Sequence, residues 1–498
     1  MENLFVYLPI FLALYVLTKL FLDKIQSLPP SPFPSLPIIG HLYLLKRPIH
    51  RTLSKISKRH GPILLLQFGC RRVLLVSSPS AAEECFTKND IIFANRPRML
   101  IGKHLGYNFT SLAWAPYGDH WRNLRRIASL EILSSTRLQM LSNIRVDEVK
   151  TLIRRLFHNQ NQPVDLRTAF YELTMNVMMR MIAGKRYYGY NIGSSEEAKR
   201  FKEIHLETFK VSAQSNVGDF LPWIKSRRLE KKMINCRRNR DEFMQGLLEE
   251  HRKRRGIGFS SEKTKTLIEV LLAMQETDPE YYSDETIKGL MLVLISAGTD
   301  TSSNTMEWAL SLLLNHPEVL KKAQTEIDNR VGHSRLIDES DMAQLPYLRV
   351  IINETLRMYP PVPMLVPHES SAACTVQGYN IPRGTTLMVN IWAIQNDAKI
   401  WEDPREFRPE RFEGLDGARD GFKMMPFGSG RRGCPGEGLG LRIVGLAIGS
   451  LIQCFDWERI GEHMVDMREG MGVTMPKAQP LRANCWPRPT IRNLLSSM

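Results

Sequence analysis

Lys288 to Leu314 reads as one long helix with apolar residues on every side, and it stops at Asn315-His316-Pro317, where proline disfavours continuation. Such a helix has no face to offer water and has to run through a core. Helical patterns dominate from Ser80 onward, broken by strand-like pieces at Cys374 to Val376, Thr386 to Val389 and the C-terminal tail. Ile63 to Phe68 and Arg72 to Val76 read as a hairpin around Gly69. These patterns predict a mainly α body with small β-sheets, of the α+β class, built as a single unit over 41–498. The 498 residues would suggest several domains by length alone, but a large single core overrides that prior.

Ahead of the body, Leu4 to Leu22 is almost continuously apolar and about long enough to cross a bilayer, so residues 1–24 are expected to be an anchor. Glu2 precedes the span, while Lys19, Lys24, Lys46 and Arg47 lie towards or beyond its far end, which puts the body in the cytosol by the positive-inside rule. Residues 25–40 hold the proline run Leu28 to Pro37, a stiff extended strap that ends at Gly40. The seven cysteines are odd in number and scattered, which fits a reducing compartment rather than a disulfide framework. A net charge of +15 is dispersed, and no nucleic-acid module accompanies it, so membrane and an acidic protein are the expected partners rather than nucleic acid.

Cys434 stands in Phe427-Gly428-Ser429-Gly430-Arg431-Arg432-Gly433-Cys434-Pro435-Gly436, just before the apolar helix pattern that runs on to Ile452. A thiolate stays deprotonated beside cations or at a helix N-terminus, and this loop provides both. Arg432 could reach an anionic group of a cofactor, and Phe427 could shield the sulfur from water. The stretch reads as a cradle for a thiolate-bound haem.

Phe427, Gly430, Arg432, Cys434 and Gly436 resemble, position by position, the haem-binding signature of the cytochrome P-450 superfamily. The resemblance implies that fold, haem b (iron protoporphyrin IX) with Cys434 as axial thiolate, and the electron push that favours O–O cleavage. It is similar in further places. Ala297-Gly298-Thr299-Asp300-Thr301-Ser302 matches the oxygen-activation motif. Positions 297, 298 and 301 share one helical face, where Ala297 and Gly298 leave room for a ligand. The resemblance implies that Thr301 orders water there while Asp300 relays protons. Glu354 and Arg357, three residues apart on one helix, precede Leu356 to Pro361, and Phe407 to Phe412 supplies Arg411; the resemblance implies a bracing network of Glu354, Arg357 and Arg411. Trp121 and Arg125 lie four residues apart on one helical face, suited to a carboxylate, and the resemblance makes that carboxylate a haem propionate. His368 and Arg432 align with further propionate contacts.

No nicotinamide or flavin fingerprint occurs in the chain, so the resemblance implies NADPH electrons delivered by NADPH-cytochrome P-450 reductase, with cytochrome b5 as a further donor. Arg122, Arg126 and Arg431 are expected to leave positive charge on the thiolate side for such an acidic partner. The segments that correspond to substrate contacts are mainly apolar: Met99, Leu100, Leu105 and Phe109; Val293 and Leu294; Val362, Met364, Leu365 and Val366; Val473, Thr474 and Met475. They imply a small hydrophobic substrate oxidised with O2.

The likeness extends from anchor to cysteine loop and is nearest to plant microsomal A-type enzymes, family eighty-one, whose members oxidise isoflavonoids and other phenolics, lignans and terpenoids. It implies a monooxygenase at the endoplasmic-reticulum membrane. An intact Thr301 favours hydroxylation over isomerisation or dehydration, and argues against methylenedioxy-bridge formation. The alternatives are a haem-thiolate isomerase or dehydratase that needs no reductase, and a membrane haem protein with no turnover.

Overall fold

The computed structural model describes residues 25–498 apart from 33, 160–161, 190–195, 215, 225, 257–264 and 415–420, together with Tyr7, Leu14 and Thr18. The span expected to be an anchor lies almost wholly outside the described residues. Among the described residues one helix, Glu437–Cys454, is long and apolar enough to cross a membrane, and most of it is buried inside the body. It is therefore a core helix.

The helix expected at 288–314 runs from Asp284 to Asn315. The Ser283 side chain accepts the Thr286 N–H at its start, and Asp284 and Glu285 stand in the first turn, where acidic groups favour the helix dipole. Its far end gives way to a helix that opens on Pro317. The central helix packs on Leu166–Ala183 so closely that a Cβ at Gly298 would lie 2.5 Å from Met178 Sδ. Across another face it meets Glu437–Cys454, where a Cβ at Gly440 would lie 3.9 Å from Ser302 Oγ. The Trp308 ring, fully buried, stacks on Tyr359 at 3.9 Å.

The sheets are small and peripheral. β1 (Ile63–Phe68) and β2 (Arg71–Val76) form the expected hairpin. β3 is Val164–Asp165, β4 His368–Glu369, β5 Cys374–Val376, β6 Tyr379–Ile381, β7 Thr386–Val389, β8 Phe455–Arg459 and β9 Arg482–Pro487. One sheet runs β1-β2-β7-β4, with β7 parallel to β2, a second runs β3-β9-β8, and β5 pairs with β6 alone. The pairing of β7 with β2 brings residues some three hundred positions apart into one register, Val73 opposite Thr386. The proline strap lies along this sheet: Pro30 O accepts from Leu65 N–H at 2.9 Å, and Pro34 O accepts from Tyr43 OH at 2.6 Å.

Candidate functional site

The cysteine loop is a backbone-bonded turn. Cys434 N–H donates to Phe427 O at 2.8 Å and Gly433 N–H to Gly430 O at 3.0 Å. Gly430 has φ +68°, and a Cβ there would strike Asp90 Oδ1 at 2.3 Å, so both conformation and space require glycine. Asp90 accepts from Arg431 N–H at 3.0 Å and pairs with its Nε at 3.2 Å, which fastens the loop to the helix Pro79–Phe86 side of the body. Cys434 stands exposed just ahead of the helix that begins at Glu437 and is capped by Gly436. A Cβ at Gly436 would lie 3.9 Å from Cys434 Sγ. By contrast Cys85, Cys236, Cys454 and Cys485 are buried, and burial pushes the Cys454 and Cys485 thiols up to about 12.

Beside the loop stands a cluster of cations. Arg432 donates from Nε to Ala94 O at 2.7 Å and from Nη2 to Ala115 O at 2.5 Å, and its guanidinium lies 4.3 Å over the Trp121 ring. Arg96 donates through Nη1 to Val366 O at 2.9 Å and Pro367 O at 2.8 Å, but its Nε is buried with no partner. The Arg125 side chain makes no hydrogen bond to any described residue; burial lowers its pKa and Cys434 opposes this. Burial pushes Arg96 down to about 9 and Arg432 down to about 10, and each is pressed further by a cationic neighbour, Arg432 on Arg96 and Arg125 on Arg432. None of the three pairs with a carboxylate among the described residues. Three guanidinia without an anion, one with an orphaned buried N–H, next to an exposed cysteine on a helix N-terminal turn: this donor set fits an iron porphyrin, with a thiolate for the metal and cations for two propionates.

Two expected contacts take a different form. The Trp121 indole N–H donates to Leu112 O at 3.1 Å, so the side chain supports Arg432 through its ring rather than offering a donor. His368 Nδ1 lies 2.8 Å from Phe93 O, which fixes the proton on that nitrogen, and burial with Arg96 and Arg432 nearby lowers its pKa well below the ordinary histidine value. Neutral His368 then presents a lone pair at Nε2, the wrong polarity for a carboxylate. Arg96, invisible to motif reading, is the residue that joins Arg125 and Arg432.

On the central helix, Ala297 is exposed and Val293, Asp300 and Thr301 are half-buried, while Ile295, Thr299 and Ser302 are buried. Positions 293, 297, 300 and 301 follow helical spacing, so the less buried residues lie on one face of the helix. Thr301 Oγ1 donates to Ala297 O at 2.7 Å, one turn back. Gly298 differs from expectation: its missing Cβ makes room for Met178, not for a ligand. The Asp300 carboxylate accepts from Thr474 Oγ1 and, at 3.4 Å, from Asn304 Nδ2. Burial raises the Asp300 pKa, Glu307 adds to this, and the Thr474 bond and Arg167 oppose it.

Glu354, Arg357 and Arg411 come together. Arg357 forks onto Glu354 at 2.6 and 2.9 Å, and Arg411 Nε reaches the same carboxylate at 2.9 Å. Glu354 and Arg357 are fully buried. Arg357 Nη1 also donates to Gln395 O at 2.8 Å, and Glu354 Oε1 accepts the Arg408 N–H at 3.0 Å.

The apolar wall is thinner than the sequence suggested. Leu100 and Leu105 pack with Val211, Leu229 and Met233 in a satellite cluster, and Met364 packs against the β1-β2 cluster. Leu294 and Met475 are buried, and Thr474 turns to Asp300. Met99 caps the helix Leu100–His104, and Phe109, with φ +65°, covers Gly102 beneath Arg98. Leu365 packs into the cluster under β7, with Val362 half-buried nearby in sequence, leaving Val366 and Val473 exposed. Of the three arginines expected to carry free positive charge, Arg122 pairs with Asp119 and Arg431 with Asp90, while Arg126 donates to Asn123 Oδ1 at 2.8 Å.

The family description Cytochrome P-450 matches residues 29–481. Cytochrome P-450 81Q32 of Catharanthus roseus is 51% identical, covering 95% of this chain and 94% of its own. A (+)-piperitol/(+)-sesamin synthase of Sesamum radiatum is 49% identical over 95% of this chain and 93% of its own, and an isoflavone 3'-hydroxylase of Medicago truncatula 48% over 95% of both. A zebrafish cytochrome P-450 solved with progesterone superposes with a TM-score of 0.77 at 26% identity, over 89% of this chain and 100% of its own. Membership carries a haem with a cysteine thiolate ligand and makes the protein a monooxygenase, an oxidoreductase supplied with NADPH electrons through a reductase and acting on a small hydrophobic substrate with O2. Plant members are typically bound to the endoplasmic reticulum. Mostly helical fold, cysteine loop and these likenesses agree along nearly the whole chain, which belongs to the cytochrome P-450 family.

Proposed function

We propose that the protein hydroxylates a phenolic, isoflavonoid-like or terpenoid plant metabolite, with Cys434 as the axial ligand and with Asp300 and Thr301 carrying protons to the oxygen site. The bound haem supplies the chemistry of inserting one atom of O2 into a C–H bond while the other leaves as water, at the expense of two electrons and two protons. Arg96, Arg125 and Arg432 would hold the propionates, and Glu354, Arg357 and Arg411 would brace the thiolate side. Thr301 carries the reading. Its hydroxyl stands one turn beyond the exposed Ala297 on a mostly buried helix, and it follows in sequence Asp300, whose pKa burial raises. A carboxyl whose pKa is raised takes up a proton more readily than an ordinary one, which suits a relay of protons.

Isoflavone hydroxylation by a 48% identical relative supports a phenolic substrate. Synthesis of (+)-piperitol and (+)-sesamin, the activity named for the Sesamum radiatum relative, is the second candidate. The exposed Val366 and Val473 are the side chains that would meet an apolar scaffold. Residues 1–24 would anchor the chain once in the endoplasmic-reticulum membrane and 25–40 would strap a cytosolic body, 41–498, to it. NADPH-cytochrome P-450 reductase is the proposed donor, with cytochrome b5 as a second.

Microsomes that carry the reductase, given NADPH and pooled isoflavones, lignans and terpenoids, test this by mass. A product one oxygen heavier, formed only with NADPH, is expected. Thr301→Ala should oxidise several times more NADPH per product; an unchanged ratio would refute the role of Thr301, and NADPH-independent conversion would refute monooxygenation.

A further inference from the structure

Thr474 reads from sequence as part of a substrate wall, yet its hydroxyl is directed away from that task. Asn304 Nδ2 lies 3.0 Å from Thr474 Oγ1, and the Thr474 hydroxyl in turn donates to Asp300 Oδ2. The direction of this chain follows from its members. An amide nitrogen can only donate, so Thr474 Oγ1 accepts from Asn304; an ionised carboxylate can only accept, so the Thr474 proton points to Asp300 Oδ2. Asn304 Nδ2 also reaches Oδ2 at 3.4 Å. Both bonds converge on one oxygen, and Oδ1 takes no hydrogen bond from any described residue. A proton carried by Asp300 therefore belongs on Oδ1, because Oδ2 already faces two donors.

We propose that Thr474 is a positioning residue for proton delivery: from the C-terminal loop it holds Asp300 by Oδ2, so that Oδ1 alone takes up and releases protons. The inference rests on the reading of Asp300 given above and adds a residue and a loop to it. The neighbours of Thr474 show why the loop matters. On one side Met475 is locked, its N–H donating to Pro361 O at 2.9 Å and its carbonyl accepting from Trp308 Nε1 at 2.8 Å. On the other side Val473 is 53% exposed. A ligand that met Val473 would act on a residue adjacent to the Asp300 clamp. The ion pair of Arg167 with Glu307 at 3.1 Å stands behind the carboxyl and holds the rest of the loop, with Arg167 Nη2 donating to Lys477 O at 2.7 Å.

The test uses the haem-loaded full chain with reductase, NADPH and an isoflavone as the added ligand. Hydrogen peroxide released per NADPH is read together with the solvent deuterium isotope effect on NADPH oxidation. Thr474→Val should raise peroxide release on the order of tenfold, the weight of one hydrogen bond to a charged group, and enlarge the isotope effect. Thr474→Ser, which keeps the donor, should restore both. A merely structural tether would lower the haem-loaded fraction in Thr474→Val without moving either ratio, and that result would overturn the proposal. Should Thr474→Val fail to fold, Asn304→Ala leaves residue 474 intact but frees the direction of its hydroxyl, and the same rise is expected. Asp300→Asn separates the two levels. Uncoupling there with none in the Thr474 and Asn304 variants overturns this inference alone; no uncoupling there overturns the role of Asp300 and this inference with it.

Discussion

Two groups of arginines lie within the body of this protein and obey opposite rules. Arg357 and Arg411 converge on the single buried carboxylate of Glu354, with their remaining donors on carbonyls such as Gln395 O. Arg96, Arg125 and Arg432 converge on one another, and none has a carboxylate among the described residues. Removing a cation from water is costly unless an anion and hydrogen bonds meet it. The first group meets that condition inside the protein and so belongs to the fold. The second leaves it unmet, and on the proposed reading its anion arrives from outside. The identical side chain would then be cement in one place and a receptor in the other.

The largest effect expected from this contrast is in the closed group. Arg357→Ala leaves Glu354 at zero exposure with only Arg411 and the Arg408 N–H, and Glu354→Gln leaves Arg357 buried without an anion. Either should cost about 3–5 kcal/mol, as breaking a buried pair does. The measurement is the denaturant midpoint of the full chain together with its haem content. A shift no greater than that of a surface substitution would erase the distinction between the two groups.

A second closed group adds a pH dependence. Glu469, with a side chain 2% exposed, lies 2.6 Å from Arg51 and 3.0 Å from His50, and so joins the helix Ile49–His60 to the C-terminal loop. Despite burial, which would raise it, these partners lower the Glu469 pKa from 4.5 to about 2. A depressed carboxyl stabilises the fold fully above its unfolded pKa, and the contribution fades as pH falls from 4.5 towards 2. The loss amounts to about 3 kcal/mol over that window. Thermal midpoints of Glu469→Gln should already be low at neutral pH and change less with acid than those of the parent chain. Parallel acid profiles for the two proteins would show that the pairing contributes nothing.

The contrast between these groups could be read only in part from sequence, and the reason is distance along the chain. Glu354 and Arg357 are one helical turn apart, so period alone brings them together. Phe427 to Gly436 lies within ten positions, so its glycines, cations and cysteine are met at once. Arg432 comes to Arg96 because its guanidinium donates to Ala94 O and Ala115 O, more than three hundred positions away, and no local pattern states that. Thr474 and Asp300 are likewise joined by tertiary packing across 174 positions. Helical spacing does tell which face a side chain occupies, but not its partner: it puts Trp121 and Arg125 on one face of the helix Asp119–Ile127 and leaves open that Leu112 O takes the indole N–H. Gly298 shows the same limit, since a small residue on a face can serve a ligand or a neighbouring helix, and here Met178 decides.

Arg125 gives the most discriminating and the smallest of these effects. It has no hydrogen bond to lose among the described residues, and its cationic neighbour Arg432 is pushed down to about 10 by burial and by Arg125 itself. Arg125→Ala therefore removes repulsion from the haem-free protein while taking one cation from the bound cofactor. The two forms should respond in opposite senses. The haem-free chain should unfold at the same temperature or slightly higher, whereas haem should pass to an excess of apomyoglobin about tenfold faster, the loss of one charge-assisted hydrogen bond. Arg357→Ala, by comparison, should weaken both forms together. If Arg125→Ala also lowered the stability of the haem-free protein, the cation cluster would be part of the scaffold after all, and the open group would have to be reclassified with the closed one.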